Sequence, residues 1–142
     1  MIMDSIILSI SDYNLNHLER LAKDSIPLES CALLLGKKNS STNYSVKNII
    51  IPNNFSKSST FFEVDPKDLI TFYEKSKSMN LDVISIFHSH PSIPYPSASD
   101  LRYMEINPVI WLIYSTMEFS FKAYLLSEEK KIIEVLINRI KD

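Results

Sequence analysis

The chain has one cysteine and no long apolar run, and each scarcity excludes a class of protein. A single cysteine, Cys31, excludes an internal disulfide, which fits a reducing compartment. No apolar run approaches the roughly 20 residues of a bilayer span, and the N-terminus lacks the basic flank and cleavage site of a signal peptide. The net charge of −2 comes without a basic run or basic helix. We therefore predict a cytoplasmic protein that binds neither nucleic acid nor membrane.

With 142 residues, of which 45% are hydrophobic, the whole chain 1–142 is expected to form one domain around one core. Apolar runs predict strands at 5–10, 28–36, 44–51, 61–64, 83–88, 109–115 and 118–127. Helical spacing predicts helices at 12–24, capped by Ser11 or Asp12, at 66–79, capped by Asp65, and at 97–106. The segment 130–138 fits either a strand or a helix. This order predicts an α/β protein of the α+β type, with a curved, mixed, mostly antiparallel β-sheet flanked by helices.

Two of the three histidines, His88 and His90, lie two residues apart at the end of the apolar run 83–87. Residues i and i+2 of a strand point to the same face, so both imidazoles can reach one metal ion. A carboxylate, Asp100, follows after a proline-rich loop. Two imidazoles, one carboxylate and a free fourth position are the ligand set of a hydrolytic zinc site. We expect one Zn²⁺ ion per chain.

A hydrolytic zinc site also needs a general base, and Glu29 is the candidate because it opens a strongly apolar strand. Ser97 lies one helical turn before Asp100, where its hydroxyl could stabilise an oxyanion. Simpler interpretations remain open for each residue. Glu29 taken alone fits a solvated strand end, Ser97 and Asp100 also form the pattern of a helix capping box, and Cys31 fits a small buried residue better than a nucleophile.

Taken together, Glu29, the segment His88–Pro91 and the pair Ser97 and Asp100 resemble the JAMM (MPN-plus) metalloprotease family. The family pattern is a glutamate on an early strand, followed by H-x-H-P and then by S-x-x-D. Further similarities in order and spacing are the glutamate strand 27–36, Asn53–Asn54, the segment 62–66 and the closing strands. The resemblance therefore extends over nearly the whole chain.

The resemblance implies a cytidine-deaminase-like MPN fold with zinc held by His88, His90 and Asp100. It implies that Glu29 is the base that acts on the zinc-bound water and that Ser97 stabilises the tetrahedral intermediate. The loop 91–96 has six residues where the family usually has seven, so Ser99 is a second candidate for the role of Ser97.

The family's proteolytic members cleave the isopeptide or peptide bond after the diglycine tail of ubiquitin or of a ubiquitin-like or sulfur-carrier protein. The length of the chain favours a small, stand-alone, prokaryote-like member. We expect such a tail to add as a strand to a free sheet edge near the metal. Two alternatives stay open: a non-catalytic MPN binding module, and a zinc hydrolase of a small peptide-like substrate. A homodimer is also left open, as is a partner that orders the loop 53–63.

Overall fold

The computed structural model describes residues 5–52, 55–56, 63–64 and 66–142. The elements are, in chain order, β1 Ile7–Ser11, α1 Asp12–Ser25, β2 Ser30–Lys38, β3 Asn43–Ile50, β4 Phe55–Ser56, β5 Glu63–Val64, α2 Pro66–Ser78, β6 Asp82–His90, α3 Ala98–Ile106, β7 Ile110–Ser115, β8 Ser120–Leu126 and β9 Ile132–Ile140. Asn53, Asn54, the predicted cap Asp65 and most of the loop 53–63 lie outside the described residues.

Seven strands form a closed barrel in the order β1-β3-β2-β6-β7-β8-β9. The strand β1 closes it, because β1 pairs in parallel with β3 on one side and with β9 on the other. The predicted fold class, an α+β protein with a curved sheet flanked by helices, is therefore wrong. Without β1, the sheet would have two edge strands, β3 and β9, with unpaired N–H and C=O groups. The strand β1 pairs with both of them and so closes the sheet. The small pair β4 and β5 lies outside this barrel.

The barrel strands carry apolar side chains on both faces, which produces two core clusters. The first cluster has members from all seven barrel strands and from α1, which contributes Leu15, Leu18 and Ala22. The second cluster lies on the opposite face of β2, β6 and β7, where Met104 of α3 is buried and Leu69 and Phe72 of α2 pack against it. Because strand residues alternate between the two faces, the buried apolar side chains of β2 and β6 divide between the two clusters.

The helix starts follow local capping chemistry. The hydroxyl of Ser11 accepts a hydrogen bond from the Asn14 N–H at 3.1 Å, so the predicted cap of α1 is confirmed. Most of the ambiguous segment 130–138 is a strand, because β9, Ile132–Ile140, pairs with both β8 and β1. None of the helices in the described ranges has the length and apolarity that crossing a bilayer requires.

Gly36, the only glycine, lies in β2 where the pairing register with β3 shifts. A Cβ at this position would overlap the carbonyl oxygen of Ser45 and lie 2.9 Å from Cδ1 of Ile84. We expect Gly36→Ala to lower the free energy of unfolding by about 3 kcal/mol, because the backbone of β3 must move away. Urea denaturation measures this, with Lys37→Ala at the next position as the control. A loss under about 1 kcal/mol would contradict the close approach.

Candidate active site

The antiparallel pairing of β2 with β6 brings together residues that lie about 60 positions apart in the sequence. Cys31 pairs with His88 and Ser30 with Ser89, and Glu29 directly precedes the first paired residue of β2. Opposite residues of an antiparallel pair share a face, and the faces alternate along each strand. Glu29, Cys31, His88 and His90 therefore belong to one face of the two strands, the face of the second core cluster.

The imidazole of His88 lies between two carboxylates. Its Nδ1 is 3.0 Å from Oδ1 of Asp100, and its Nε2 contacts Oε1 of Glu29. The Nε2 of His90 is 3.9 Å from Oδ2 of Asp100, and the two imidazole rings meet edge to face with centroids 5.3 Å apart. Each of these four residues is at most 4% exposed. The structure thus brings together the three predicted ligands and the predicted base in one buried cluster.

The charges of the cluster favour a bound cation. Burial alone would lower the pKa of His88, but Asp100 and Glu29 outweigh burial and raise it. Burial, together with the neighbouring His88, lowers the pKa of His90. For Asp100, burial acts to raise the pKa, and the contact with His88 and the hydrogen bond from the Ser97 N–H outweigh it, so the net pKa is lowered. The raised pKa of His88 shows that the carboxylates around it attract a positive charge, and a metal cation bound to the neutral imidazole would supply that charge in place of the proton.

The capping box and the proposed ligand coincide at the start of α3. The Asp100 N–H donates to Oγ of Ser97 at 3.1 Å, and the Ser97 N–H donates to Oδ2 of Asp100 at 2.9 Å, so the predicted capping box is confirmed. The other oxygen of Asp100 faces His88. Oγ of Ser99, the second candidate for the role of Ser97, lies 3.4 Å from Oγ of Ser97. Capping therefore holds Asp100 in place for its contact with His88.

Two supporting residues were missed by sequence reasoning. The hydroxyl of Ser92 hydrogen-bonds Nδ1 of His90 at 2.8 Å, and Oγ of Ser115 donates to the Ser92 carbonyl at 2.6 Å. Partners of this kind fix the orientation of a ligating imidazole. The position of Ser92, two residues after His90 in a proline-rich loop, was the available signal. No signal in the sequence pointed to Ser115, because this residue belongs to β7 and lies 23 positions after Ser92.

Cys31 and Trp111 border the cluster as structural side chains. Burial raises the pKa of the Cys31 thiol to about 12, so the thiol stays protonated at neutral pH. This agrees with the interpretation of Cys31 as a small buried residue. The ring of Trp111 meets His88 edge to face, with centroids 6.3 Å apart, and is 1% exposed. Trp111 is therefore a core side chain that flanks the site.

The donor set has the chemistry that a divalent metal needs. Among the residues that the structure describes, no group of three His, Cys, Asp or Glu side chains is arranged so that it could hold a metal ion as it stands. The buried Nε2 of His90 lacks a hydrogen-bond partner among the described residues. The ion pairs that Glu29 and Asp100 form within the described ranges are with histidines alone. Two imidazole nitrogens and a carboxylate oxygen are donors that zinc prefers. A cation there would satisfy the Nε2 of His90 and the carboxylate of Asp100.

The end of β6 contributes two buried imidazoles, and the residue before β2 and the first turn of α3 each contribute a buried carboxylate. This is the donor set of a metal-dependent hydrolase. Comparison with known proteins identifies the family. The family described as prokaryotic homologs of the JAB domain matches residues 13–126. The chain is 40% identical over 111 residues to a desampylase from Pyrococcus furiosus, a match that covers 78% of this chain and 75% of that protein. The chain belongs to the JAB/MPN family and is a JAMM-type hydrolase, so the predicted family is confirmed.

Solved structures agree on the fold. A protein from Desulfitobacterium hafniense superposes with a TM-score of 0.81 at 24% identity and covers 95% of this chain and 94% of its own. A protein from Salinibacter ruber superposes with a TM-score of 0.67 at 20% identity and covers 93% and 91%. The architecture is thus shared by proteins whose sequences have diverged widely.

Proposed function

We propose that this protein is a zinc-dependent peptidase that cleaves the peptide or isopeptide bond after the diglycine tail of a ubiquitin-like or sulfur-carrier protein. The observation that carries the proposal is the buried convergence of Glu29, His88, His90 and Asp100. The name of the 40% identical relative, desampylase, supports a ubiquitin-like substrate.

In this proposal His88, His90 and Asp100 hold one zinc ion. When bound, zinc lowers the pKa of a coordinated water to about 7 and polarises a carbonyl. The carboxylate of Glu29 accepts the proton of the attacking water and later delivers it to the leaving amine. Its Oε1 already contacts His88, at the edge of the ligand set. Burial around the site keeps bulk water away from this proton transfer.

Ser97 has two tasks in the same proposal. Its Oγ accepts the Asp100 N–H, and in the 3.4 Å contact with Oγ of Ser99 either hydroxyl can donate. When Ser99 donates, the Ser97 proton is available to a third group. We assign that proton to the scissile carbonyl oxygen, where negative charge develops during attack. Ser97 therefore stays the first candidate for this role, and Ser99 stays the second. The serine that caps α3 would thus also stabilise the reaction.

The substrate tail needs a place to bind beside the cluster. From the sequence, the tail was expected to add as a strand to a free sheet edge, but the closed barrel has no such edge. Among the described strands, only β4 and β5 pair outside the barrel. The loop after His90 offers an apolar surface instead. Ser115 donates to the Ser92 carbonyl, and the Tyr124 hydroxyl donates to the Pro94 carbonyl at 2.8 Å. These bonds hold the loop in place while the side chain of Ile93, between the two anchored carbonyls, stays 55% exposed.

We expect Ile93→Ala to raise KM for a ubiquitin-like substrate about five- to tenfold without changing kcat, because the side chain contacts the tail and not the reacting atoms. Steady-state kinetics on a ubiquitin-like fusion measures this. Leu136→Ala is the matched control, since Leu136 is a comparably exposed aliphatic side chain, 50% exposed on β9. Equal KM values for the two variants would exclude Ile93 from substrate binding.

The proposed function is tested by metal analysis joined to cleavage. Purified protein should carry about one zinc ion per chain and should cleave a linear ubiquitin-like fusion directly after the diglycine. A chelator should abolish cleavage, and added zinc should restore it. A zinc-loaded protein that binds the fusion without cutting it would indicate a binding module. Cleavage of short peptides alone would indicate a hydrolase of small peptide-like substrates.

Several expectations from the sequence stay predictions. They are the extent 1–142 of one metalloprotease domain, the cytoplasmic location, the lack of nucleic-acid and membrane binding, and the homodimer that was left open. Size measurement in solution tests the last of them. None of them enters the argument for the site.

A further inference from the structure

On the face of β2 and β6 opposite the candidate site, two buried serines bond to each other. Oγ of Ser30 is 2.6 Å from Oγ of Ser89, and the Ser30 N–H also donates to Oγ of Ser89 at 3.1 Å. Both residues are fully buried. One hydroxyl on β6 thus binds both the backbone and the side chain of the residue that follows Glu29.

The place of this bond in the fold gives it a consequence for the site. Ser30 and Ser89 are the first residue pair of β2 with β6, and Glu29 lies just before the strand, where ladder pairing has not begun. Ser89 itself lies between the two imidazole residues, His88 and His90. The hydroxyl of Ser89 therefore ties the backbone next to the base to the backbone between the proposed metal ligands.

We propose that Ser89, acting through Ser30, is a positioning residue that holds the carboxylate of Glu29 against His88. This inference rests on the proposed function, because it assigns the bond a part in that reaction. A displacement of about 1 Å at a reacting group lowers a rate by as much as about 100-fold, so a single bond at this point matters for turnover. The serine pair touches neither substrate nor metal.

The test compares Ser89→Ala, Ser30→Ala and the double variant in the zinc-loaded protein. We expect Ser89→Ala to keep one zinc per chain and an unchanged KM, while kcat falls about 10- to 100-fold. The double variant should lose no more than Ser89→Ala, because both changes remove the same interaction. Ser89→Thr, which keeps the hydroxyl, should restore most of kcat.

A second measurement does not depend on catalysis. Amide hydrogen exchange at Ser30 should be about tenfold faster in Ser89→Ala, because its hydrogen-bond acceptor is gone. The matched control is Ser85→Ala, since Ser85 is fully buried on the same face of β6 and its hydroxyl has no hydrogen-bond partner among the described residues. This control should change neither kcat nor exchange at Ser30.

Three results would overturn the inference: a kcat for Ser89→Ala within twofold of that for Ser85→Ala, a loss that follows zinc content, or losses that multiply in the double variant. If the wild-type protein cleaves no diglycine substrate, the proposed function fails. Exchange at Ser30 then still decides whether Ser89 holds the start of β2. The two failures are therefore distinguishable.

Discussion

Replacing Glu29 by glutamine is expected to lower kcat about 10²- to 10⁴-fold while the protein keeps about one zinc ion per chain. Glutamine has nearly the same shape and can still accept a hydrogen bond from Nε2 of His88, but it cannot take a proton from water. The three proposed ligands are unchanged, so the metal should stay. Metal analysis and steady-state cleavage of a ubiquitin-like fusion, made on one preparation, measure both quantities.

The control for this substitution is Glu134→Gln, because the Glu134 side chain is about half exposed and belongs to β9. It should alter neither zinc content nor kcat. Full activity in Glu29→Gln would remove Glu29 from the mechanism. Loss of zinc together with activity would instead make Glu29 a metal ligand. Metal analysis is needed to distinguish a base from a ligand, because Glu29 contacts His88, a proposed ligand.

Replacing Asp100 by asparagine is expected to remove zinc and to lower cleavage about 10³-fold or more, because a neutral amide is a poor substitute for a carboxylate ligand. An asparagine oxygen can still accept the Ser97 N–H, so α3 should keep its cap. The metal-free variant loses the charged contact between Asp100 and His88, so its thermal unfolding midpoint should fall below that of metal-free wild type while it stays folded at room temperature. Zinc content after dialysis and cleavage rates measure the loss.

Asp82→Asn is the matched control for this change, since Asp82 is exposed at the far end of β6. It should keep zinc and activity. If Asp100→Asn also keeps both, Asp100 serves only the capping box and the ligand set is wrong. If the variant loses zinc and its metal-free form is already unfolded at the assay temperature, the carboxylate is needed for the fold, and the loss of metal does not identify a ligand.

The parts of the site that the sequence could predict are local in the chain. The strand period of two places His88 and His90 on one face whatever surrounds them. The capping box of Ser97 and Asp100 spans three residues and forms as the pattern predicts. The apolar run before His88 is likewise a buried strand. Each of these features depends on neighbours a few residues away.

Local residue patterns are enough to predict the strand with its two imidazoles, the capped helix with its carboxylate and the family to which these motifs belong. Three other features follow only from the folded chain: β1 closes the sheet into a barrel, 132–140 is a strand, and Glu29 meets His88 across 59 positions. The serine pair behind the site and the Ser92 bond to His90 also appear only there. The physical reason is that strand partners are chosen by burial and backbone pairing over the whole chain, and a local pattern does not specify its distant partner.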